Sequence, residues 1–185
     1  RRGVRGDDDP ARQSGTFFDY PLLGGKENLL QSIRNRTSPP CVIVTIGDNR
    51  ARRAVAQWLQ EQGCKLVTAE HPSARIAREV SLGPGVVIAA GAVLNPATRV
   101  AEGVIVNTAA SIDHDCSIGS YVHVAPGCRL CGSVVIESGT LIGAGSVVIP
   151  GIRVGANVLV GAGSVLVRDV ASNTRVAGCP SVSAA

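Results

Sequence analysis

From Ile76 onward the chain repeats every six residues. Stepping by six from Ile76 to Leu166 meets sixteen residues, each Ile, Leu or Val, with no gap or slip. The residue two places before each, from Ala74 and Val80 through to Ser164, is small or β-branched. A helix repeats near 3.6 residues and a strand near 2, so neither alone produces this pattern. A short strand followed by a corner does. Strand alternation then points the aliphatic inward, together with the smaller residue two positions earlier. Three units close a triangular coil of eighteen residues, and sixteen units make a little over five coils. In the slot just after the aliphatic stand Gly83, Gly119, Gly143, Gly155 and Gly161, or Asn95, Asn107 and Asp113. These residue types tolerate left-handed backbone, so this slot is read as the corner.

The period accounts for the composition. The chain is 45% hydrophobic but only 3% aromatic. A narrow prism admits one medium aliphatic per layer and side, and no large ring. Burying each is worth roughly 1.5–3 kcal/mol before entropy, and neighbouring coils support one another in a one-dimensional stack. This composition excludes disorder. The net charge of +4 is spread thinly and aromatics for stacking bases are nearly absent, so nucleic-acid binding is not expected. The densest basic cluster, Arg50, Arg52 and Arg53, reads as the solvated start of a helix. No apolar run is long enough to cross a membrane.

Of six cysteines, Cys116 and Cys128 occupy inward small slots, where they read as packing. Cys128-x-x-Cys131 has zinc-ligand spacing but no second such pair, so no metal is expected. A reduced, cytoplasmic setting is the default.

Residues 1–70 lack the hexad. Cys41-Val-Ile-Val-Thr-Ile46 is a continuous apolar run, as in a buried parallel strand. Gly47-Asp48-Asn49 leads into a helix whose apolar residues are Ala51, Ala54, Val55, Trp58 and Leu59, with Gly63 at its C-cap. Cys64–Val67 reads as a second strand, and Lys26–Ile33 as an earlier helix. Strand, helix, strand over 1–70 implies an α/β unit with a parallel sheet and helices packed on it, ahead of the all-β hexad coils over 71–185. The turn at Gly47 either presents backbone N–H groups to a phosphate or simply caps the helix. Asp7-Asp8-Asp9 is either a ligand contact or an exposed acidic turn. The chain contains no Met and begins at Arg1, which points to a lost N-terminal segment.

Only three histidines are present, His71, His114 and His123. Asp113-His114-Asp115 follows the inward Ile112, which places His114 and Asp115 outward at a corner. Asn107 stands at the corner before it. A carboxylate beside an imidazole fixes its tautomer and raises its basicity, as a general base for acyl transfer requires. The same residues could also be a solvated corner.

Asn107-Thr-Ala-Ala-Ser-Ile-Asp113-His114-Asp115 and Val122-His123-Val-Ala-Pro-Gly127 resemble the sialic acid O-acetyltransferases and bacillosamine-pathway sugar N-acetyltransferases. So do Gly143-Ala-Gly-Ser-Val-Val-Ile-Pro-Gly151, Val160-Gly-Ala-Gly-Ser-Val165 and the ending Val176-Ala-Gly-Cys-Pro180. Ile46-Gly-Asp-Asn-Arg50, Tyr20-Pro-Leu-Leu-Gly24 and His71-Pro-Ser-Ala74 resemble that family's N-terminal half, so the likeness covers nearly the whole chain.

The resemblance implies an N-terminal α/β remnant, a truncated Rossmann-like sugar-nucleotide-binding domain, over 1–70, an all-β left-handed parallel β-helix over 71–185, and a homotrimer with active sites between subunits. It also implies acetyl-CoA as co-substrate and an acceptor amine or hydroxyl on a sugar or nucleotide-linked sugar. It makes His114 the general base, Asp115 its partner and Asn107 a polar active-site residue. His123, Gly132, Ala144 and Ala162 become acetyl-CoA contacts, and Gly47, Asp7 and Asp8 sugar-nucleotide contacts. Two departures stand out: the family's opening strand and Gly-rich turn with its His are missing here, and Asp115 replaces the Glu of some members. Three alternatives compete. A serine- or other small-acceptor acetyltransferase shares the prism, and a non-catalytic trimeric scaffold would bind no acetyl-CoA. A three-His zinc enzyme needs ligands that His114 and His123, half a coil apart, do not supply.

Overall fold

A computed structural model describes residues 5–6, 15–17, 19–35 and 37–183. The chain forms two compact units, one of residues 1–41 and 58–65, the other of 42–57 and 66–185. Asp7 and Asp8 lie outside the described residues.

In the first unit, β1 (Arg5–Gly6) runs parallel to β3 (Tyr20–Gly24), and β2 (Thr16–Phe17) pairs with β3 antiparallel. The helix α1 spans Lys26–Arg34 and opens at Gly25. Lys26 Nζ lies 5.5 Å from the Trp58 ring centroid.

In the second unit, two-residue strands recur every six residues from β7 (Arg75–Ile76) to β22 (Val165–Leu166). With three flanking strands they stack into sheets of six, five and eight strands, and neighbouring hexad strands pair in parallel eighteen residues apart, as Leu94 does with Ile112. The eight-stranded sheet starts one strand before the hexads, at β6 (Ala69–Glu70). Its last two members are β23 (Arg175–Ala177) and an antiparallel β24 (Val182–Ser183), which closes that edge. The final coil is shortened, because Leu159 pairs with Arg175 only sixteen residues on.

The predicted interior is the observed one. Every hexad aliphatic from Ile88 to Leu166 is buried, as is every smaller partner from Val86 to Ser164, and Ile76 and Leu82 in the first coil are half-buried. The inward hydroxyls are satisfied locally, as buried polar groups must be. Thr98 donates to the Asp113 carbonyl at 2.8 Å, and Thr140 to that of Gly155 at 2.7 Å.

Two expectations about the backbone need correction. Left-handed backbone falls three positions after the aliphatic, as at Gly85, Ala97, Asp115 and Tyr121, and not one position after it. The glycines of the earlier slot are there because the next coil leaves no room for a side chain. A Cβ at Gly83 would lie 2.7 Å from the Glu102 amide nitrogen, and one at Gly119 2.7 Å from that of Ser138. The apolar run 41–46 is likewise not one buried strand. Only β4 (Cys41–Val42) forms, joined to β5 (Lys65–Leu66) in a two-stranded sheet, and Ile43 and Ile46 are exposed. No other described strand joins this sheet, so nothing extends the pairing past Val42.

The second helix, α2, spans Asn49–Glu61. Asp48 is its N-cap: its Oδ1 accepts the Ala51 N–H at 2.7 Å. Gly63, at φ +79°, ends it as predicted. Its buried residues are Arg52, Ala56 and Leu59, whereas Ala51 and Ala54 are exposed. The inward stripe is thus rotated from the one read off the apolar residues, and Arg52 is not solvated.

Candidate active site

Two clusters of polar groups stand on the prism, at two different corners. The first follows β13 (Ser111–Ile112), in the six-stranded sheet. Asp113 Oδ1 accepts from Asn95 Nδ2 at 2.8 Å and from the His114 amide at 2.9 Å. These two bonds, Asn95's first, hold the Asp113 carboxyl below the usual carboxylate range. The turn then presents His114 and Asp115 outward, with Asp115 at φ +58°. His114 Nδ1 lies 2.8 Å from Asp115 Oδ2. Both side chains are more than half exposed. The Asp115 hydrogen bond, then the charge of Asp113, holds the imidazole above its ordinary pKa of 6.5.

One coil further on, Gly132 lies against the opposite edge of the ring. A Cβ there would sit 2.7 Å from His114 Nε2. No hydrogen bond from the Gly132 amide is found among the described residues. An open recess of about 500 Å³ covers this corner, lined by Asp113, His114, Cys131, Gly132, Ser133, Pro150 and Gly151.

Cys116 and Cys128 point inward and are fully buried. Burial pushes the Cys116 thiol up to about 11. The Cys128-x-x-Cys131 spacing therefore joins one core thiol to one recess thiol. Among the described residues no three His, Cys, Asp or Glu side chains converge as metal ligands would.

The second cluster lies around the corner that follows the eight-stranded sheet. There Asn107 ends β12 (Ile105–Val106), and His123 opens the next rung, β15 (His123–Val124). Asn107 Oδ1 accepts the Thr108 N–H at 2.7 Å, so its amide nitrogen faces His123 Nε2 at 3.1 Å. His123 Nδ1 lies 3.2 Å from the Gly47 carbonyl. Burial, and secondarily the charge of Arg52, hold the His123 ring below its ordinary pKa. Ala144 and Ala162 are exposed on this same corner, one and two coils above Pro126.

The sequence-predicted residues therefore divide. His114, Asp115 and Gly132 meet at one corner; Asn107, His123 and Gly47 meet at another, with Ala144 and Ala162 in line above. One face of the prism separates the two groups within a chain. Three residues were missed in the sequence. Asp113 and Asn95 fix the backbone of His114, and their signal was two polar residues in the same hexad slot eighteen apart. Arg52, bonded to the Gly47 carbonyl at 3.2 Å, left no local signal.

A left-handed parallel β-helix bearing a carboxylate-paired histidine at an open corner defines an acyltransferase class. Residues 133–168 match the bacterial transferase hexapeptide model of six repeats. The PerB structure from Caulobacter crescentus, in complex with CoA and GDP-perosamine, is 34% identical with a TM-score of 0.87, covering 92% of this chain and 81% of that one. The acetyltransferase domain of PglB from Neisseria gonorrhoeae is 35% identical with a TM-score of 0.89, over 98% and 86% of the two chains. The GDP-perosamine N-acetyltransferase of Escherichia coli O157:H7 is 29% identical over 109 residues, 59% of this chain and 49% of that protein. The match thus spans about half the length of that curated relative. The chain belongs to the hexapeptide-repeat family of sugar N-acetyltransferases.

Proposed function

We propose that this chain transfers an acetyl group from acetyl-CoA to an amine or hydroxyl of a nucleotide-linked sugar. The observation that carries the reading is the ordered pair His114–Asp115 beside the close-packed Gly132, at the mouth of an open recess. Nδ1–H donates to Asp115, which leaves the Nε2 lone pair as the base. As the acceptor attacks the thioester carbonyl, Nε2 takes its proton, and Asp115 stabilises the imidazolium that forms. The Gly132 N–H is available to the oxyanion, an effect worth roughly 2.7–4 kcal/mol in other acyl-transfer enzymes. Collapse expels the CoA thiolate, which recovers the proton from Nε2. No covalent enzyme intermediate is required.

Similar proteins hold CoA with GDP-perosamine, and acetyl coenzyme A, which supports both co-substrates. In this reading His123, Gly132, Ala144 and Ala162 contact the acetyl-CoA. Asn107 completes the active site, and residues 1–70, with Gly47, Asp7 and Asp8, bind the sugar nucleotide. The separation of the two corners supports a homotrimer in which one subunit's His114 meets its neighbour's His123. Cys41, Cys116, Cys128, Cys131 and Cys179 stand outside any disulfide, which supports a reduced, cytoplasmic setting. Among the described residues no helix is long and apolar enough to cross a membrane.

The test is thiol release from acetyl-CoA with a panel of nucleotide-linked amino sugars that includes GDP-perosamine, and with serine as a control. His114→Ala should lose at least about 100-fold in kcat, within the range of general-base catalysis. Activity within tenfold of the parent sinks the role of His114. Turnover of serine alone sinks the sugar, and no acetyl-CoA binding at all leaves a scaffold.

A further inference from the structure

Arg52 is 1% exposed, and among the described residues no carboxylate forms a salt bridge with it; the charge of Asp48 acts on it from beyond that reach. Every guanidinium N–H is nevertheless used. Nε donates to the Gly103 carbonyl at 2.8 Å. One terminal nitrogen donates to the carbonyls of Ile46 at 2.8 Å and Gly47 at 3.2 Å. The other donates to Asn49 Oδ1 at 2.8 Å and the Tyr121 carbonyl at 3.0 Å, with Val122 at 3.4 Å. Asn49 in turn donates to the carbonyls of Gly139 and Thr140 on the next coil. Burial lowers the guanidinium pKa only to about 10, so it stays charged at neutral pH.

These bonds converge on His123. Arg52 grips the backbone immediately before it, at Tyr121 and Val122, and also the Gly47 carbonyl that meets its ring. A carbonyl only accepts, so His123 Nδ1 must carry the proton toward Gly47. Nε2 is then the acceptor, and it receives an N–H from Asn107, whose orientation the Thr108 amide fixes. The whole line, from Arg52 through Gly47 and His123 to Asn107, admits one tautomer.

We propose that Arg52 is a positioning residue that holds the Gly47 turn and the Tyr121–Val122 backbone so that His123 is locked as its Nδ1–H tautomer against Asn107. The arrangement couples the turn before α2 to the outward face of the eight-stranded sheet. Lysine cannot replace it, because three N–H groups on one nitrogen cannot reach the six acceptors that the guanidinium fork serves.

The tautomer is read directly by long-range nitrogen–proton NMR on full-length protein labelled at histidine, with His123 assigned from a His123→Gln sample. The parent should show Nδ1 protonated and Nε2 bare; the opposite pattern overturns the proposal without any variant. In Arg52→Lys and Arg52→Met, His123 should become a mixture of tautomers while the His114 signals, at another corner, stay in place. A folded variant that keeps the parent His123 pattern overturns it. The kinetic consequence rests on reading His123 as an acetyl-CoA contact. KM for acetyl-CoA should then rise about tenfold in Arg52→Lys with kcat little changed, the signature of lost uniform binding. A changed tautomer with unchanged KM upholds Arg52 and removes His123 from the donor site.

Discussion

Gly132 lies so close to His114 that a Cβ on it would come within 2.7 Å of both Nε2 and Cε1 of the imidazole. The contact is with the far end of an exposed side chain, so the ring can yield by turning, and the cost falls on catalysis rather than folding. A misplacement of about 1 Å is enough to lose about 100-fold in rate. Gly132→Ala should therefore melt within a few degrees of the parent and lose about that factor in kcat. Gly119→Ala is the contrast, because its Cβ would meet the Ser138 backbone nitrogen, which cannot swing away. Overpacking of that kind costs about 1–3 kcal/mol. Thermal melts and steady-state kinetics on both variants separate the two effects; a Gly132→Ala enzyme with parental kcat removes the requirement for a fixed ring.

The pH profile carries the sign of the His114–Asp115 pair. The imidazole works as a base only when neutral, and Asp115 holds it protonated to higher pH than an ordinary histidine. The acid limb of kcat/KM should therefore turn over above 6.5, with rate lost as pH falls through that point. Asp115→Asn removes the largest cause of the shift, so the limb should move to lower pH. The plateau should drop by roughly 100-fold as the imidazolium loses its partner. A limb that stays in place shows that His114 is not the titrating base.

The prism was legible because its cause is local and repeated. A coil of three strands returns each inward slot to the same chemical environment, so the hexad of Ile, Leu and Val names its own core. The corner geometry was misassigned because glycine answers two different demands. Gly85 and Gly91 supply positive φ, whereas Gly83 and Gly119 make room for the coil above, and composition alone does not separate them. Arg52 was misread for a different reason. A helix pattern reports only period, and the acceptors that bury this side chain, at Gly103 and Tyr121, lie 51 and 69 residues away. Their carbonyls belong to every residue alike and leave no mark in the sequence.

Direct transfer makes a prediction about the cysteines. Cys131 lines the recess with His114, and Cys116 sits behind it, its thiol donating to the Cys131 carbonyl at 3.2 Å. With a pKa near 11 and full burial, Cys116 carries almost no thiolate at neutral pH. Cys131→Ala and Cys116→Ala should each keep kcat within about threefold of the parent, since neither thiol forms an intermediate. Enzyme mixed with acetyl-CoA alone should release no burst of thiol and gain no acetyl mass. An acetylated protein in the intact-mass spectrum would replace direct transfer with a two-step path.

The two corners make the oligomer testable through activity. On one chain His114 follows the six-stranded sheet and His123 opens a strand of the eight-stranded sheet, so a cyclic assembly is needed for one subunit's His114 to face another's His123. His114→Ala and His123→Ala should each be impaired when every subunit carries the same substitution. Subunits of both, unfolded together and refolded in equal amounts, form interfaces at random. About a quarter of the sites then receive an intact histidine from each side, so roughly a quarter of parental activity should return. If each site is complete within one chain, mixing restores nothing beyond the average of the two variants. Sedimentation equilibrium on the same samples fixes the subunit number, so a failure to assemble is told apart from a site that never needed a neighbour.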